Sequence, residues 1–149
     1  MNFGDLKEWG VVLAIARNIQ PAGLIGAGTD IIEIERIKQA VERGGNRFLE
    51  RVFTPGERDF CEARKDRFSC YAARFAAKEA VLKALGTGLA GCGFLDVEVQ
   101  RPGGGRPEIK LRGAAAEVAM EKGIAVILIS ISHNRENAVA FAIAAGEGV

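Results

Sequence analysis

Cysteine and histidine are scarce in this chain of 149 residues, which contains three cysteines and one histidine. The cysteines, at positions 61, 70 and 92, are odd in number and show no CxxC spacing. The sequence therefore indicates neither a disulfide framework nor a zinc site. Because unpaired cysteines are typical of a reducing compartment, we expect a cytoplasmic protein.

A strong charge imbalance and long apolar runs are also missing. The net charge is only +1, without a basic tail, so the sequence gives no reason to expect a nucleic-acid partner. The apolar stretch over residues 9–16 is short and follows charged residues, unlike the apolar part of a signal peptide. No run approaches the roughly 20 residues needed to span a bilayer, and we expect a soluble protein without a membrane segment.

Size and composition predict a single globular domain. Hydrophobic residues make up 48% and charged residues 26% of the chain, close to the globular average and unlike a disordered protein. Apolar residues at 6, 9, 12, 13 and 16 recur near a 3.6-residue period, which predicts a helical leader over residues 1–21. The domain itself is expected over residues 22–149. Three roles stay open for the leader: a cap on the fold, a contact with a neighbouring molecule, or a misassigned start codon.

Periodicity and turn residues predict an α+β fold with a largely antiparallel sheet and packed helices, in the order β-α-α-α-β-β-α-β-β. Strands are predicted at 24–32, 95–100, 107–111, 125–132 and 138–144. Helices are predicted from Ile34 to the Gly44-Gly45 pair, after the capping box Thr54-Pro55-Gly56-Glu57, over 68–85 and over 114–122. The strongly β-prone run at 125–132 is expected in the centre of the sheet.

One acid stands among three bases on the predicted helix over 68–85. Glu79 and Lys83 are one turn apart on one face, and Arg74 and Lys78 form a second stacked pair. Alanines at 72, 73, 76, 77, 80 and 84 let another backbone approach closely while helix propensity stays high. The pattern indicates a phosphate site in which a metal ligand and an anion ligand work together. The alternative is an ordinary solvated helix whose Glu79–Lys83 pair contributes only about 0.3–0.5 kcal/mol.

Two further motifs accompany this helix. They are Gly26-Ala27-Gly28-Thr29-Asp30-Ile31-Ile32-Glu33-Ile34-Glu35-Arg36-Ile37 upstream and Ser130-Ile131-Ser132-His133-Asn134 near the end. In this order the three motifs resemble the holo-acyl-carrier-protein synthases, which belong to the 4'-phosphopantetheinyl transferases, and the resemblance covers residues 24–144. It implies magnesium-dependent transfer of the 4'-phosphopantetheine group of coenzyme A to a serine of an apo-acyl carrier protein, in fatty-acid biosynthesis. The other product is adenosine 3',5'-bisphosphate.

The resemblance also implies roles for individual residues. Asp30 and Glu79 occupy the family's two carboxylate-ligand positions, and two carboxylates would leave coordination positions of Mg²⁺ for pyrophosphate oxygens and water. The alternative for Asp30 is a helix N-cap paired with Glu33. Lys83 is the candidate that holds or protonates the leaving phosphate. The base that deprotonates the serine stays open among Glu79, a metal-bound water and solvent.

The coenzyme A site is also assigned by the resemblance. The family's segment around the single histidine lies at that site, so His133 is assigned to phosphate binding rather than to acid–base catalysis. Backbone amides of the glycine turn after the helix are further candidates. The expected coenzyme A contacts are Arg74, Lys83, Gly86, Ser132, His133 and Asn134, with Lys78 as an additional candidate.

The compact synthases of this family are homotrimers with active sites between subunits, so one chain would supply the carboxylates and another His133. Arg36 and Arg43 fall on the family's docking helix, where they would meet the acidic helix of the apo-acyl carrier protein and set encounter rate and register. For these arginines the alternative is a solvated face without a partner.

Two other classes of protein compete with the enzyme. A noncatalytic module that binds coenzyme A or a nucleotide would keep Arg74, Lys83 and His133 but would not need both Asp30 and Glu79. A purely structural trimer would need neither carboxylate. The presence of both carboxylates therefore favours the enzyme.

Overall fold

Residues 23–147 are described by the structure, which is a computed structural model. The leader predicted over residues 1–21 lies outside the described residues, and the domain boundary at residue 22 stays a prediction. Within residues 23–147 the strands and α-helices follow the predicted order, so the α+β fold is confirmed. The strands are β1 (Leu24–Glu33), β2 (Val97–Gln100), β3 (Glu108–Leu111), β4 (Val126–His133) and β5 (Asn137–Ala145), and the helices are α1 (Ile34–Val52), α2 (Pro55–Glu62), α3 (Arg67–Leu85) and α4 (Gly113–Glu121).

The strands form two antiparallel sheets, a three-stranded sheet in the order β1-β5-β4 and the hairpin β2-β3. The prediction that the run at 125–132 lies centrally was wrong, since β4 is at an edge and β5 is the central strand. The reason is the helix that covers the sheet. Strand β5 meets α3 through alanines, which have too little bulk to hold the helix away. These buried alanines are Ala138, Ala140, Ala142 and Ala144.

Glycines let β1 approach α3 closely. A Cβ atom added to Gly26 would lie 2.1 Å from the backbone oxygen of Ala84, and one added to Gly28 would lie 2.0 Å from that of Ala80. Both distances are far below van der Waals contact, so no larger residue fits unless the backbone shifts. The expectation that the alanines of the helix admit another backbone is confirmed. This packing sets the carboxyl half of β1 directly beside the middle of α3.

The predicted end of α1 was wrong, whereas the predicted start of α2 is confirmed. Helix α1 does not stop at Gly44-Gly45; Gly45 takes φ 54° and ψ −140°, which kinks the helix, and the chain turns helical again as far as Val52. The capping box at the start of α2 is confirmed. Glu57 accepts a hydrogen bond from the Thr54 amide at 2.9 Å, and Thr54 Oγ1 accepts one from the Glu57 amide at 3.3 Å.

Helix α3 lies at the centre of the molecule and contributes to both clusters of buried apolar side chains. One cluster joins its carboxyl half to β2, α4 and the sheet, and the other joins its amino half to α1 and α2. Functional side chains on α3 are therefore held by packing on several sides. Within residues 23–147, no helix has the length and hydropathy needed to cross a membrane.

Candidate active site

Two carboxylates and a lysine meet where β1 passes α3. Asp30 comes from β1, while Glu79 and Lys83 come from α3. Lys83 Nζ lies 3.2 Å from Asp30 Oδ1 and donates a hydrogen bond to the backbone oxygen of Thr29 at 3.0 Å. Glu79 lines the same cleft as Asp30. The structure thus brings together three residues that the sequence assigned to one site, although their roles stay predictions.

The electrostatics of this cleft are those of an anionic site. Burial, together with the negative charge of Asp30, raises the pKa of Glu79, while Lys83 acts in the opposite direction. Two carboxylates near one ammonium leave an excess of negative charge when all three are ionised. The side chain of Lys83 is 49% exposed and that of Asp30 is 17% exposed, so a ligand can reach both.

The donor set fits magnesium. Among residues 23–147 there is no cluster of three or more His, Cys, Asp or Glu side chains that could hold a metal ion. Glu33 also lines the cleft, where its Oε1 atom lies 3.9 Å from Arg36 Nε, but it completes no such cluster with Asp30 and Glu79. Magnesium usually binds through one or two carboxylates, with phosphate oxygens and water completing its coordination. A structural zinc site would need four protein ligands.

Asp30 is not a helix cap. Helix α1 begins at Ile34 with Glu33 as its N-cap residue, and no side chain caps it. Asp30 lies within β1, three residues before the N-cap position, so the alternative in which it caps the helix with Glu33 was wrong. The alternative of a merely solvated helix for Glu79 and Lys83 also fails for Lys83, whose ammonium contacts β1.

The carboxylate cleft has a volume of about 370 Å³ and holds residues that the sequence assigned elsewhere or missed. Arg36, expected to contact the partner, lines it beside Asp30. Phe75 and Asn137, which were not singled out, line it as well. For Phe75 a signal existed, because it lies one helical turn before Glu79 on the same face. Asn137 carried no such signal, since it reaches the cleft only through the pairing of β5 with β1.

Arg74 and His133 lie in a different cavity of about 150 Å³, which Arg64 and Arg101 also line. Arg74 is only 4% exposed, and its Nε atom has no hydrogen-bond partner among the residues that the structure describes. One carboxylate, that of Asp66, also lines the cavity, but the three arginines outnumber it, and such an excess of positive charge suits a phosphate group. The structure therefore brings together two of the residues that were expected to bind coenzyme A.

This cavity and the carboxylate cleft are on different sides of one chain. Arg74 and Glu79 are five positions apart on α3, which turns their side chains about 140° apart around the helix axis. His133 and Ile32 both pair with Ala138, from opposite sides of β5, so β4 and β1 are two strand spacings apart, about 9–10 Å. A single chain thus divides the expected site into two parts.

Asn134 shapes the turn between β4 and β5. Its Oδ1 atom accepts hydrogen bonds from the amides of Glu136 at 3.0 Å and Asn137 at 2.7 Å. The backbone amide of Asn134 donates a hydrogen bond to the backbone oxygen of Asn137 at 2.9 Å. Ser132 and His133 are exposed neighbours at the end of β4 and point to opposite faces of the sheet. Contacts of Ser132, His133 and Asn134 with coenzyme A stay predictions.

Gly86 ends α3, as the sequence predicted. It adopts φ 82°, and its amide donates to the backbone oxygen of Lys83 at 3.0 Å. The amide of Gly88 donates to Leu82 at 3.3 Å, so both amides are already used within the chain. The ammonium of Lys122 donates to the backbone oxygen of Leu85 and adds a positive charge at this turn that the sequence did not single out.

Lys78, the additional candidate for coenzyme A, has a different role. Its side chain is fully buried, with Nζ 2.7 Å from Glu57 Oε1. The ammonium also donates to the backbone oxygens of Phe94 at 2.9 Å and Val97 at 2.5 Å. Burial lowers the pKa of Lys78, and the charge of Glu57 opposes that shift. Because these groups enclose the ammonium, the assignment of Lys78 to a coenzyme A phosphate was wrong.

Known proteins are similar to this chain in both sequence and fold. The family model of the 4'-phosphopantetheinyl transferase superfamily matches residues 26–142. A holo-[acyl-carrier-protein] synthase of Desulforudis audaxviator is 54% identical over 123 residues, which are 83% of this chain and 94% of that protein.

Solved structures agree with this result. The holo-[acyl-carrier-protein] synthase of Neisseria meningitidis superposes with a TM-score of 0.75 at 33% identity, covering 81% of this chain and 98% of that one. That of Helicobacter pylori, in complex with coenzyme A, gives a TM-score of 0.71 at 34% identity, covering 79% and 98%. The chain therefore belongs to the 4'-phosphopantetheinyl transferase superfamily and, within it, to the holo-[acyl-carrier-protein] synthase family of enzymes.

Proposed function

We propose that this protein is a cytoplasmic enzyme that transfers the 4'-phosphopantetheine group of coenzyme A to a serine hydroxyl of an apo-acyl carrier protein. The reaction depends on magnesium, gives holo-carrier protein and adenosine 3',5'-bisphosphate, and serves fatty-acid biosynthesis. The observation that carries this proposal is the cleft lined by Asp30 and Glu79, with Lys83 paired to Asp30, in a chain whose relatives are holo-[acyl-carrier-protein] synthases.

Asp30 and Glu79 are the residues that would hold the magnesium ion. When bound, the ion would supply positive charge that neutralises the pyrophosphate while its phosphoanhydride bond breaks and the phosphodiester bond to serine forms. Lys83 supplies a second, fixed positive charge, because its ammonium is held by the backbone oxygen of Thr29 and by Asp30. A charge that is already oriented needs little rearrangement when negative charge develops on the leaving phosphate. Lys83 therefore binds that phosphate and is the group that can give it a proton.

A direct test is the mass of an apo-acyl carrier protein after incubation with this protein, coenzyme A and Mg²⁺. We expect a mass gain of one phosphopantetheine group, on the serine that accepts it. Omitting coenzyme A should leave the carrier unchanged, and the isosteric variant Asp30→Asn, the matched control for the carboxylates, should modify it far more slowly. Unmodified carrier in every reaction, with several carrier proteins and a folded enzyme, contradicts the proposal.

We also propose that the enzyme is a homotrimer with active sites between subunits. The outer face of the three-stranded sheet supports this assembly, because it is apolar and lacks a covering element among residues 23–147. Its exposed members are Leu24, Ile31, Val126, Leu128, Val139 and Phe141. Large exposed apolar patches usually mark an interface. A neighbouring chain could then add its Arg74 and His133 to the cleft that holds Asp30 and Glu79.

Mixing inactive variants tests the shared site. In a mixed trimer of Glu79→Gln and His133→Ala, some sites combine intact carboxylates from one chain with an intact histidine from another, so we expect activity to return. The matched control mixes Glu79→Gln with Asp30→Asn, which leaves every site with a damaged carboxylate pair and restores nothing. Failure of the first mixture, in trimers shown to contain both chains, contradicts a site shared in this way.

Helix α1 is the proposed contact for the carrier protein. Arg36 is 74% exposed at its side chain and lines the carboxylate cleft, so it reaches both solvent and site. Arg43 is exposed seven residues later, close to two helical turns along the same face. An acidic helix docked along this face would approach the cleft, and complementary charge would guide its encounter and register.

A further inference from the structure

An apolar groove of about 500 Å³ lies between β3 and β4, and we call it the β3–β4 groove. Ten of its twelve lining residues are apolar, and only Arg106 and Glu108 are charged. Three of the apolar residues are open to solvent, because Val126 and Leu128 are each 46% exposed and Ala125 is exposed as well. Exposed apolar surface that is continuous in this way usually marks a contact.

Both walls of the β3–β4 groove include edge strands. Among residues 23–147, β3 pairs only with β2 and β4 pairs only with β5. Native proteins usually cover or block such edges, because an open edge pairs readily with another chain. Of the six residues on the outer face assigned to the trimer, only Val126 and Leu128 line the groove. The opposite wall comes from β3 and α4, through Ile109, Leu111 and Ala119, so the groove has room for an occupant of its own.

The leader carries an apolar run that suits this groove. Residues 9–16 consist of tryptophan, glycine, valine, leucine, isoleucine and alanine, without a charged residue. Glu8 and Arg17 bound the run on its two sides. They offer charges opposite to those of Arg106 and Glu108, the two charged residues of the groove. The run therefore matches the groove in both hydropathy and flanking charge.

The point at which the leader joins the domain is close to the groove. Leu24 and Val126 both pair with Ala145, from opposite sides of β5, so two strand spacings separate them, about 9–10 Å. Positions 16 and 24 are eight residues apart, and eight extended residues span up to about 26 Å. The apolar run can therefore reach the groove of its own chain. Tethering gives it an effective concentration on the order of millimolar, which favours it over a second copy of the protein.

We propose that residues 9–16 of the leader dock in the β3–β4 groove of the same chain and cover the open edge of β4. Burial of apolar surface on both partners supplies the driving force. Of the three roles left open for the leader, this is the cap on the fold. Docking is independent of the transfer reaction proposed above, because Asp30, Glu79 and Lys83 do not line this groove.

The single tryptophan, Trp9, reports directly on the leader in the full-length protein. We expect blue-shifted fluorescence of Trp9 and weak quenching by acrylamide. Ala125→Glu adds a charge at an exposed position of the groove, so the emission should shift to the red and quenching should rise several-fold. Leu128→Glu, at a second exposed groove position, should have the same effect. All variants are compared after circular dichroism has shown that they are folded.

Ser130→Glu is the matched control. It adds the same charge at an exposed position of β4 that does not line the groove, and it lies beside Phe141 on the outer face of the sheet. We expect it to leave the fluorescence of Trp9 unchanged. Solvent-like emission in the unchanged protein, or emission that neither groove variant alters, overturns the proposal. Exposure of Trp9 by Ser130→Glu, with dissociation of the assembly, also overturns it and assigns the contact to a neighbouring chain.

Discussion

Lys78 and Glu79 are neighbours on α3, yet they lie in opposite surroundings. Lys78 is fully buried against a fully buried Glu57, whereas Glu79 lines a cleft beside the half-exposed Lys83. Consecutive helical residues point about 100° apart, so one helix can present one charge to the core and the next to a cleft. Charge on α3 therefore has two separate uses, and the side of the helix on which a residue lies decides which use applies.

Energetics support this division. Glu57 accepts hydrogen bonds from the amides of Thr54 and Val99 as well as from Lys78, so one carboxylate joins the start of α2, strand β2 and helix α3. Breaking such a buried pair from one side typically costs about 3–5 kcal/mol. An exposed pair such as Lys83 with Asp30 contributes only about 0–1 kcal/mol. Stability explains the buried pair but does not explain why two carboxylates and a lysine meet in the cleft.

The largest effect is expected on turnover, from Asp30→Asn and Glu79→Gln. Each change keeps the side-chain shape but removes a charge that would hold magnesium, so kcat should fall by roughly 10²–10³-fold or more. Thermal melting should stay close to that of the unchanged protein, because the cleft charges contribute little to folding. Rates come from the mass assay of the carrier at saturating Mg²⁺. Near-normal turnover in either variant would show that the carboxylate assignment is wrong.

The next largest effect is expected on stability, from Lys78→Met. This change leaves Glu57 buried without its cation, and we expect the free energy of unfolding to fall by about 3–5 kcal/mol, measured by denaturant titration. Lys110→Met, at an exposed position of β3, is the matched control and should change it by less than about 0.5 kcal/mol. A Lys78→Met protein that keeps its stability but loses turnover would contradict a purely structural role for Lys78 and place it with Glu79 in the active site.

Local pattern was enough to predict much of the site. The spacing of Glu79 and Lys83 fixed their shared helix face, and the glycines of β1 with the alanines of α3 allowed the close packing that brings in Asp30. The partner of Lys78 could not be predicted in this way. Glu57 lies 21 residues earlier in the chain and already had a role in the capping box, so nothing local linked the two residues.

The order of the strands in the sheet could not be predicted from local sequence pattern either, for a related reason. β-propensity ranks strands by their own residues, so it favoured β4, with its three isoleucines, as the central strand. The position of β5 is instead determined by the helix that it faces, which requires small side chains over its whole length. The separation of Arg74 and His133 from the carboxylate cleft likewise depends on strand pairing and helix rotation together.

The smallest effect is expected from the double variant Arg36→Glu/Arg43→Glu, which tests whether the cleft side of the molecule also receives the carrier protein. Exposed charges act mainly on association, so KM for the carrier should rise several-fold at low salt and less at high salt, while KM for coenzyme A barely changes. Arg47→Glu/Arg51→Glu, at exposed positions beyond the kink of α1, makes the same change in net charge and is the matched control. An unchanged KM for the carrier would show that Arg36 and Arg43 lie on a solvated face without a partner. An equal rise in both constants would instead place Arg36 with Asp30 and Glu79, as a residue of the cleft that contacts coenzyme A.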